Sequence, residues 1–130
     1  MTYLALIIGS LLGGILRYAL SMTIPTPDSF PLGILIINLS GSLILGVFYG
    51  VSDTRRIKPW LRVGFGTGVI GTFTTFSTFC MGTDQLASSA LYLSGAYVAI
   101  SIIGGPLLAY LGNQLVLYSR RILSTWGELS

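Results

Sequence analysis

The nine residues "GTFTTFSTF", Gly71 to Phe79, decide how this chain folds. They place five hydroxyls (Thr72, Thr74, Thr75, Ser77, Thr78) and three phenyl rings (Phe73, Phe76, Phe79) inside an apolar run long enough to cross a bilayer. A plain lipid-facing helix would carry Leu and Ile at that depth. In the wider stretch "TGVIGTFTTFSTF", Thr67 to Phe79, two glycines and the β-branched threonines lower helix preference further. Two conformations answer this pattern. One is a continuous Thr-rich helix with its hydroxyls bonded back to its own carbonyls and its phenylalanines in a core. The other is a broken helix, whose freed amides and carbonyls must be satisfied inside protein, by an ion or by water. Freed carbonyls suit a small cation, and the N-terminus of the new half-helix favours an anion. Phe76 and Phe79 lie three residues apart, so their rings share a face, and the positive edge of a phenyl ring can touch a small anion.

Outward from this motif the chain is apolar almost throughout. It has 130 residues, 52% hydrophobic and only 8% charged, with a mean hydropathy of +0.81. Soluble domains carry about 25% charged residues, so lipid is the expected solvent. A spanning helix needs about 20 mostly apolar residues. Four runs qualify: Tyr3 to Thr23, Leu32 to Val51, Leu61 to about Gln85, and Leu86 to Tyr118. The fourth is long enough to tilt or project. "IPTPDSFP" (Ile24 to Pro31) ends the first run, and "SDTRRIKPW" (Ser52 to Trp60) connects the second to the third. The first run lacks a basic start and three spans follow it, so it is expected to be retained rather than removed as a signal peptide. The expected fold is an all-α integral membrane protein, a single domain over residues 1–130, with four transmembrane helices and a break in the third.

Charge placement sets the expected topology. The connection between the second and third spans carries Arg55, Arg56, Lys58 and Arg62, and the end of the chain carries Arg120 and Arg121. The other two connections hold Asp28 and Asp84 and no basic residue. The positive-inside rule therefore puts both termini in the cytoplasm. A net charge of +3 grouped beside membrane ends suits topology, not nucleic acid. No His and a single Cys exclude disulfide frameworks, Cys/His zinc sites and Ser–His–Asp or Cys–His catalysis. Cys80 reads as a small apolar filler.

Helical spacing lines up further features. Gly9, Gly13 and Arg17 share one face of the first helix; Asn38, Ser42, Gly46 and Gly50 share one face of the second; Ser94, Tyr97, Ser101 and Gly105 line the fourth. Small residues let helices approach closely in lipid, with Ser and Asn as interhelical glue. An amide at the depth of Asn38 is costly unless paired, so it is either that glue or a functional group. Arg17, the ionisable residue within a span, has three readings: snorkelling to the interface, holding an anion, or bracing a polar network.

Three stretches together carry a resemblance: "GGILRY" (Gly13 to Tyr18), "PLGILIINLSGS" (Pro31 to Ser42) and "GTFTTFSTF" in third place. In order and spacing across all four spans the chain resembles the Fluc/CrcB family of fluoride channels. The resemblance implies an antiparallel dimer with two narrow pores at the subunit interface, both subunits contributing to each. It implies a central structural sodium ion held by backbone carbonyls of the broken helix, here those of Gly71 and Thr74. Phe76 and Phe79 would line the fluoride path, Asn38 would be the pore asparagine, and Thr75 and Ser77 would sit in the polar lining. Arg17 would lie near the pore mouth. Tyr97 and Ser101 fit the family's track of hydroxyls on the fourth helix; one turn on, this chain departs from the track with Gly105.

Passive flow then follows as the implied mechanism. Fluoride holds its water tightly, so a pore must replace that shell with donors, and a narrow bore would reject chloride. The implied role is export of toxic fluoride across a microbial plasma membrane. An antiparallel homodimer requires one chain to insert both ways, which six basic residues on one side oppose, so a heterodimer with an oppositely oriented paralogue stands beside it. The principal rival, a small proton-coupled multidrug-type transporter, needs a carboxylate inside the membrane, yet Asp28, Asp53, Asp84 and Glu128 all fall in loops or at ends. A purely structural membrane protein would explain the glycine stripes but not the Thr/Phe cluster. An enzyme is disfavoured because no nucleophile–base pair is visible.

Overall fold

The structure, a computed structural model, describes residues 1–25 and 30–127, with side chains as far as residue 122. Four crossings follow one another among them. α1 (Thr2–Thr23) and α2 (Leu32–Thr54) are continuous. The third crossing comes in pieces: α3 (Pro59–Arg62), wide π-helical turns over Val63–Ile70, α4 (Gly71–Phe73), an interruption at Thr74 to Phe76, and α5 (Ser77–Ser89). α6 (Leu91–Gly127) completes the chain. No strand occurs among the described residues. α1, α2 and residues 91–122 of α6 are each long and apolar enough to span a membrane. The third crossing does not qualify as one continuous helix, because it is broken where the sequence motif weakens it.

Proline placement starts two of these elements. Pro31 precedes α2 and accepts from Leu35 N at 3.1 Å. Pro59 occupies the first turn of α3, where a missing N–H costs nothing. In the wide turns, glycines bring backbone against backbone. A Cβ on Gly9 would strike the carbonyl of Gly64, and one on Gly13 the carbonyl of Val69. α1 therefore packs on the wide turns and α4, while α2 packs along α6. There, a Cβ on Gly46 would strike the Ala109 carbonyl. With little hydrophobic drive between helices in lipid, such close approach and its dispersion energy hold the bundle.

α5 packs on α6 around a small core of Leu35, Leu86 and Tyr97, with Phe30, Leu39, Phe79 and Leu93 against it. This core corrects one expected boundary. The sequence puts the end of the third span at about Gln85 and the start of the fourth at Leu86. Leu86 is instead a fully buried contact of α5, and the chain turns at Ala90 (φ −153°, ψ 87°). Ser94 then ties the two helices by donating to the Thr83 carbonyl at 2.9 Å.

α6 has 37 residues, about 55 Å at the helical rise. That exceeds a hydrocarbon core of about 30 Å, so it must tilt or project. Pro106 lies inside it and withdraws the N–H that would bond the Ile102 carbonyl.

The basic end of the bundle is knitted by arginines. Arg120 Nη1 donates to the Thr54 carbonyl at 3.1 Å, capping the end of α2. Arg62 bonds Asp53 at 2.9 Å, with both side chains about half exposed, and stands 5.0 Å from the Tyr49 ring centre.

Candidate functional site

The interruption in the third crossing is built by a side chain from α2. Thr74 is extended (φ −75°, ψ 158°), which ends α4 after Phe73. In a continuous helix the N–H of Thr75 would bond the carbonyl of Gly71. Here Thr75 N donates to Asn38 Oδ1 at 2.8 Å, and Asn38 Nδ2 donates to the Thr75 carbonyl at 2.9 Å. One primary amide thus satisfies both polar groups of one peptide residue, and Thr75 is only 9% exposed. Asn38 acts as interhelical glue, applied to the break itself. One of its two amide protons remains uncommitted.

The consequence for the neighbouring carbonyls is direct. Neither Gly71 O nor Thr74 O receives a hydrogen bond among the described residues. Both residues line an open cleft of about 450 Å³ between α2, the broken crossing and α6.

The five hydroxyls of the motif divide into two groups. Thr72 Oγ1 bonds the Gly68 carbonyl at 2.7 Å and reaches across to the Ser10 carbonyl on α1 at 3.0 Å. Thr74 Oγ1 bonds the Ile70 carbonyl at 2.9 Å. These two behave as the continuous-helix reading expects. The others bond one another: Thr78 Oγ1 donates to Thr75 Oγ1 at 2.6 Å, and Thr75 Oγ1 lies 3.4 Å from Ser77 Oγ. They sit at the start of α5, where Thr75 Oγ1 also accepts from Thr78 N at 3.4 Å, one of the first amides of a half-helix that has no helical partner for them.

The aromatic rings form a row. Phe76 and Phe79 have centroids 5.8 Å apart at an interplanar angle of 33°. Phe79 stacks on Tyr97 at 5.2 Å, and Tyr97 meets Phe30 edge-on at 5.7 Å. The row passes from the surface, where Phe76 is 77% exposed, to the interior, where Tyr97 is fully buried. The Tyr97 hydroxyl has no hydrogen-bond partner among the described residues. Phe73 points the other way, into the protein, at 7% exposure.

Of the residues singled out from sequence, Asn38, Gly71, Thr74, Thr75, Phe76, Phe79 and Ser101 line the one cleft. Ser77 joins through Thr75, and Tyr97 backs the cleft through Phe79. Arg17 is not brought into this group: it is half-buried on α1, with no hydrogen bond or ion pair to a described residue. Ser42 and Gly105 also line the cleft. Sequence reading had Ser42 as a packing position, and only its spacing of four from Asn38 could have signalled more. Cys80 is exposed on α5 and fills no gap in the core, contrary to expectation. Asp53 is exposed at the end of α2; Asp84, expected in a loop or at an end, is instead exposed within α5, which runs past it to Ser89, while Asp28 and Glu128 lie outside the described residues. The described residues therefore place no carboxylate in the cleft.

Comparison with known proteins agrees with this architecture. Residues 4–113 match the family described as CrcB-like protein, Camphor Resistance (CrcB). A protein of Oceanobacillus iheyensis named fluoride-specific ion channel FluC is 40% identical over 121 residues, covering 91% of this chain and 93% of its own length. One from Bacillus subtilis strain 168, named fluoride-specific ion channel FluC 2, is 40% identical over 92% of this chain and 88% of its own. A third of that name, from Ligilactobacillus salivarius, is 38% identical over 88% and 84%. Matches of this extent take in every crossing described above, and they are to proteins named as channels, not enzymes. This chain belongs to the CrcB family of multi-pass membrane proteins.

Proposed function

We propose that the chain is a passive fluoride-selective channel. One observation carries the reading: one cleft at a latched helix break gathers Asn38, Thr75, Phe76, Phe79 and Ser101, and the relatives are named as fluoride-specific channels. A dehydrated anion there meets an amide proton, hydroxyls and phenyl edges, while Leu39, Leu45, Ile70 and Ile102 form an apolar wall that restricts the bore. Flow needs no energy input. In a cell with a negative interior, about 2.3 kcal/mol per charge per 100 mV drives an anion outward, a concentration ratio of roughly fifty-fold. That supports a role in fluoride export across a microbial plasma membrane.

The cleft of one chain is open on the side where Phe76 stands exposed. An antiparallel dimer would close two such clefts into two pores. The carbonyls of Gly71 and Thr74 fit a sodium ion, since both lack donors and an uncharged oxygen set suits a hard monovalent cation. Two copies would offer four such oxygens. A bound cation would lower the cost of an anion in the low-dielectric interior. The rival multidrug-type transporter lacks its central requirement, a carboxylate within the cleft. The basic bias of one end, where Arg55, Arg56 and Lys58 are exposed beyond α2, supports cytoplasmic termini and favours a heterodimer as a second assembly.

Fluoride efflux from liposomes loaded with the purified chain, with chloride efflux as control, tests the proposal. Rapid fluoride flux without chloride flux is expected, and Phe76→Ile should abolish it. No flux from folded wild-type protein would overturn the reading for the chain acting alone.

A further inference from the structure

The geometry points to Ser42 on α2 as a further anion-binding residue of the cleft, supplying from α2 the hydroxyl that α6 lacks at Gly105. An anion must be met by donors, so the question is which lining hydroxyls still have a proton to give. Thr74 has given its proton to the Ile70 carbonyl at 2.9 Å. Ser101 has given its own to the Tyr97 carbonyl at 2.8 Å. Thr75 Oγ1 accepts from Thr78 Oγ1 and lies 3.4 Å from Ser77 Oγ, so it is engaged with the hydroxyls at the start of α5. Ser42 also lines the cleft, yet it makes no hydrogen bond with any described residue. A serine inside a helix ordinarily bonds back to the carbonyl one turn earlier, as Ser101 does. Ser42 does not, and its proton is free.

Position supports the same assignment. Ser42 follows Asn38 by four residues, so both project from one face of α2 into the cleft. Asn38 keeps one uncommitted amide proton after latching Thr75, so the two donors form consecutive steps along α2. Across the cleft, a Cβ built on Gly105 would stand 3.4 Å from Ser42 Oγ. A hydroxyl at 105 and the hydroxyl of Ser42 would therefore occupy neighbouring space. α6 carries Tyr97 and Ser101 and then loses its hydroxyl at the turn where Ser42 faces it. The donor path passes from one helix to the other.

This inference rests on the fluoride-channel reading, and the experiment separates the two. Fluoride efflux would be measured from liposomes containing the full chain as wild type, Ser42→Ala, Ser42→Thr, the double variant Ser42→Ala/Gly105→Ser, and Ser40→Ala. Ser40 is bonded to the Ile37 carbonyl and does not line the cleft. Loss of one hydrogen bond to a charged group slows passage by about tenfold or more. Ser42→Ala should show that loss, Ser42→Thr should retain most of the flux, and Gly105→Ser should restore flux to the Ser42→Ala background. Ser40→Ala should conduct as wild type. A Ser42→Ala channel as fast as wild type overturns the inference and leaves the channel reading standing. So does a loss of equal size in Ser42→Thr with no rescue at 105, which would mark Ser42 as a packing residue. A silent wild type overturns both for the chain acting alone.

Discussion

Removing the Asn38 amide should let the break in the third crossing relax. Asn38→Ala leaves the N–H and the carbonyl of Thr75 without partners, and these bonds measure 2.8 and 2.9 Å in the intact protein. An unsatisfied buried polar group costs about 1–3 kcal/mol, so two cost roughly 2–6 kcal/mol. The lower end applies because the open cleft admits water to Asn38 and Thr75. At about 2 kcal/mol, local opening becomes roughly thirty times more frequent. Hydrogen exchange by mass spectrometry, read on a peptide covering residues 74–78 in detergent, should show that acceleration. Ser40→Ala on the same helix should leave it unchanged. Asn38→Asp should fall between: its carboxylate still accepts from Thr75 N but cannot donate to the Thr75 carbonyl. Unchanged exchange at 74–78 in Asn38→Ala would refute the latch. It would mean that the motif breaks the helix by its own sequence, with Asn38 merely alongside.

Three other outcomes are expected. Gly46→Leu forces a side chain into the Ala109 backbone, where even a Cβ has no room; the protein should lose its folded elution peak in detergent, whereas Gly95→Ala, which meets open space, should be neutral. Arg120→Ala removes the bond to the Thr54 carbonyl and should lower stability by about 1 kcal/mol, a few degrees in Tm, while breaking the exposed Arg62–Asp53 pair should cost no more than about 1 kcal/mol. Single cysteines placed by Ile57→Cys or Ser88→Cys in a Cys80→Ala background, labelled from each side of intact cells, should each react from one side only if the basic bias fixes orientation; labelling of both from both sides would establish dual insertion and dispose of the heterodimer.

Much of the fold was legible because lipid imposes strict terms on sequence. Spans have a set length, interruptions need polar company, and close helix contacts need glycine, so Gly9, Gly13 and Gly46 could be read as packing points from spacing alone. What sequence could not supply was pairing between distant segments. Nothing in "GTFTTFSTF" says that Thr75 rather than Thr74 is held, or that the holder lies 37 positions earlier. Both conformations considered for the motif are present in part: Thr72 and Thr74 bond back along their helix, and the chain still breaks directly after them. The end of α5 was misplaced for a related reason. The apolar runs divide at about Gln85, but the burial of Leu86 against Tyr97 is a tertiary contact that local hydropathy does not report. Ser42 was passed over because helical spacing alone gives no sign of whether a serine proton is spent on its own backbone.

The latch also links the two halves of the proposed mechanism in one residue. A carbonyl within a helix is a poor ligand because an amide four residues on already occupies it. Gly71 escapes because the chain is extended at Thr74 and the amide of Thr75 goes to Asn38 instead. The oxygen proposed for the cation and the amide proton facing the anion cleft are therefore both products of the same pair of hydrogen bonds. If Asn38 lets go, Thr75 N can return to Gly71 O. The helix would then heal through the break, the oxygen would be capped, and Phe76 would lose the bend that sets it at the surface. Cation site and anion path should fail together in Asn38→Ala rather than one at a time. By contrast, Ser42→Ala, lying a turn away and holding no backbone group, should impair the path and spare the break.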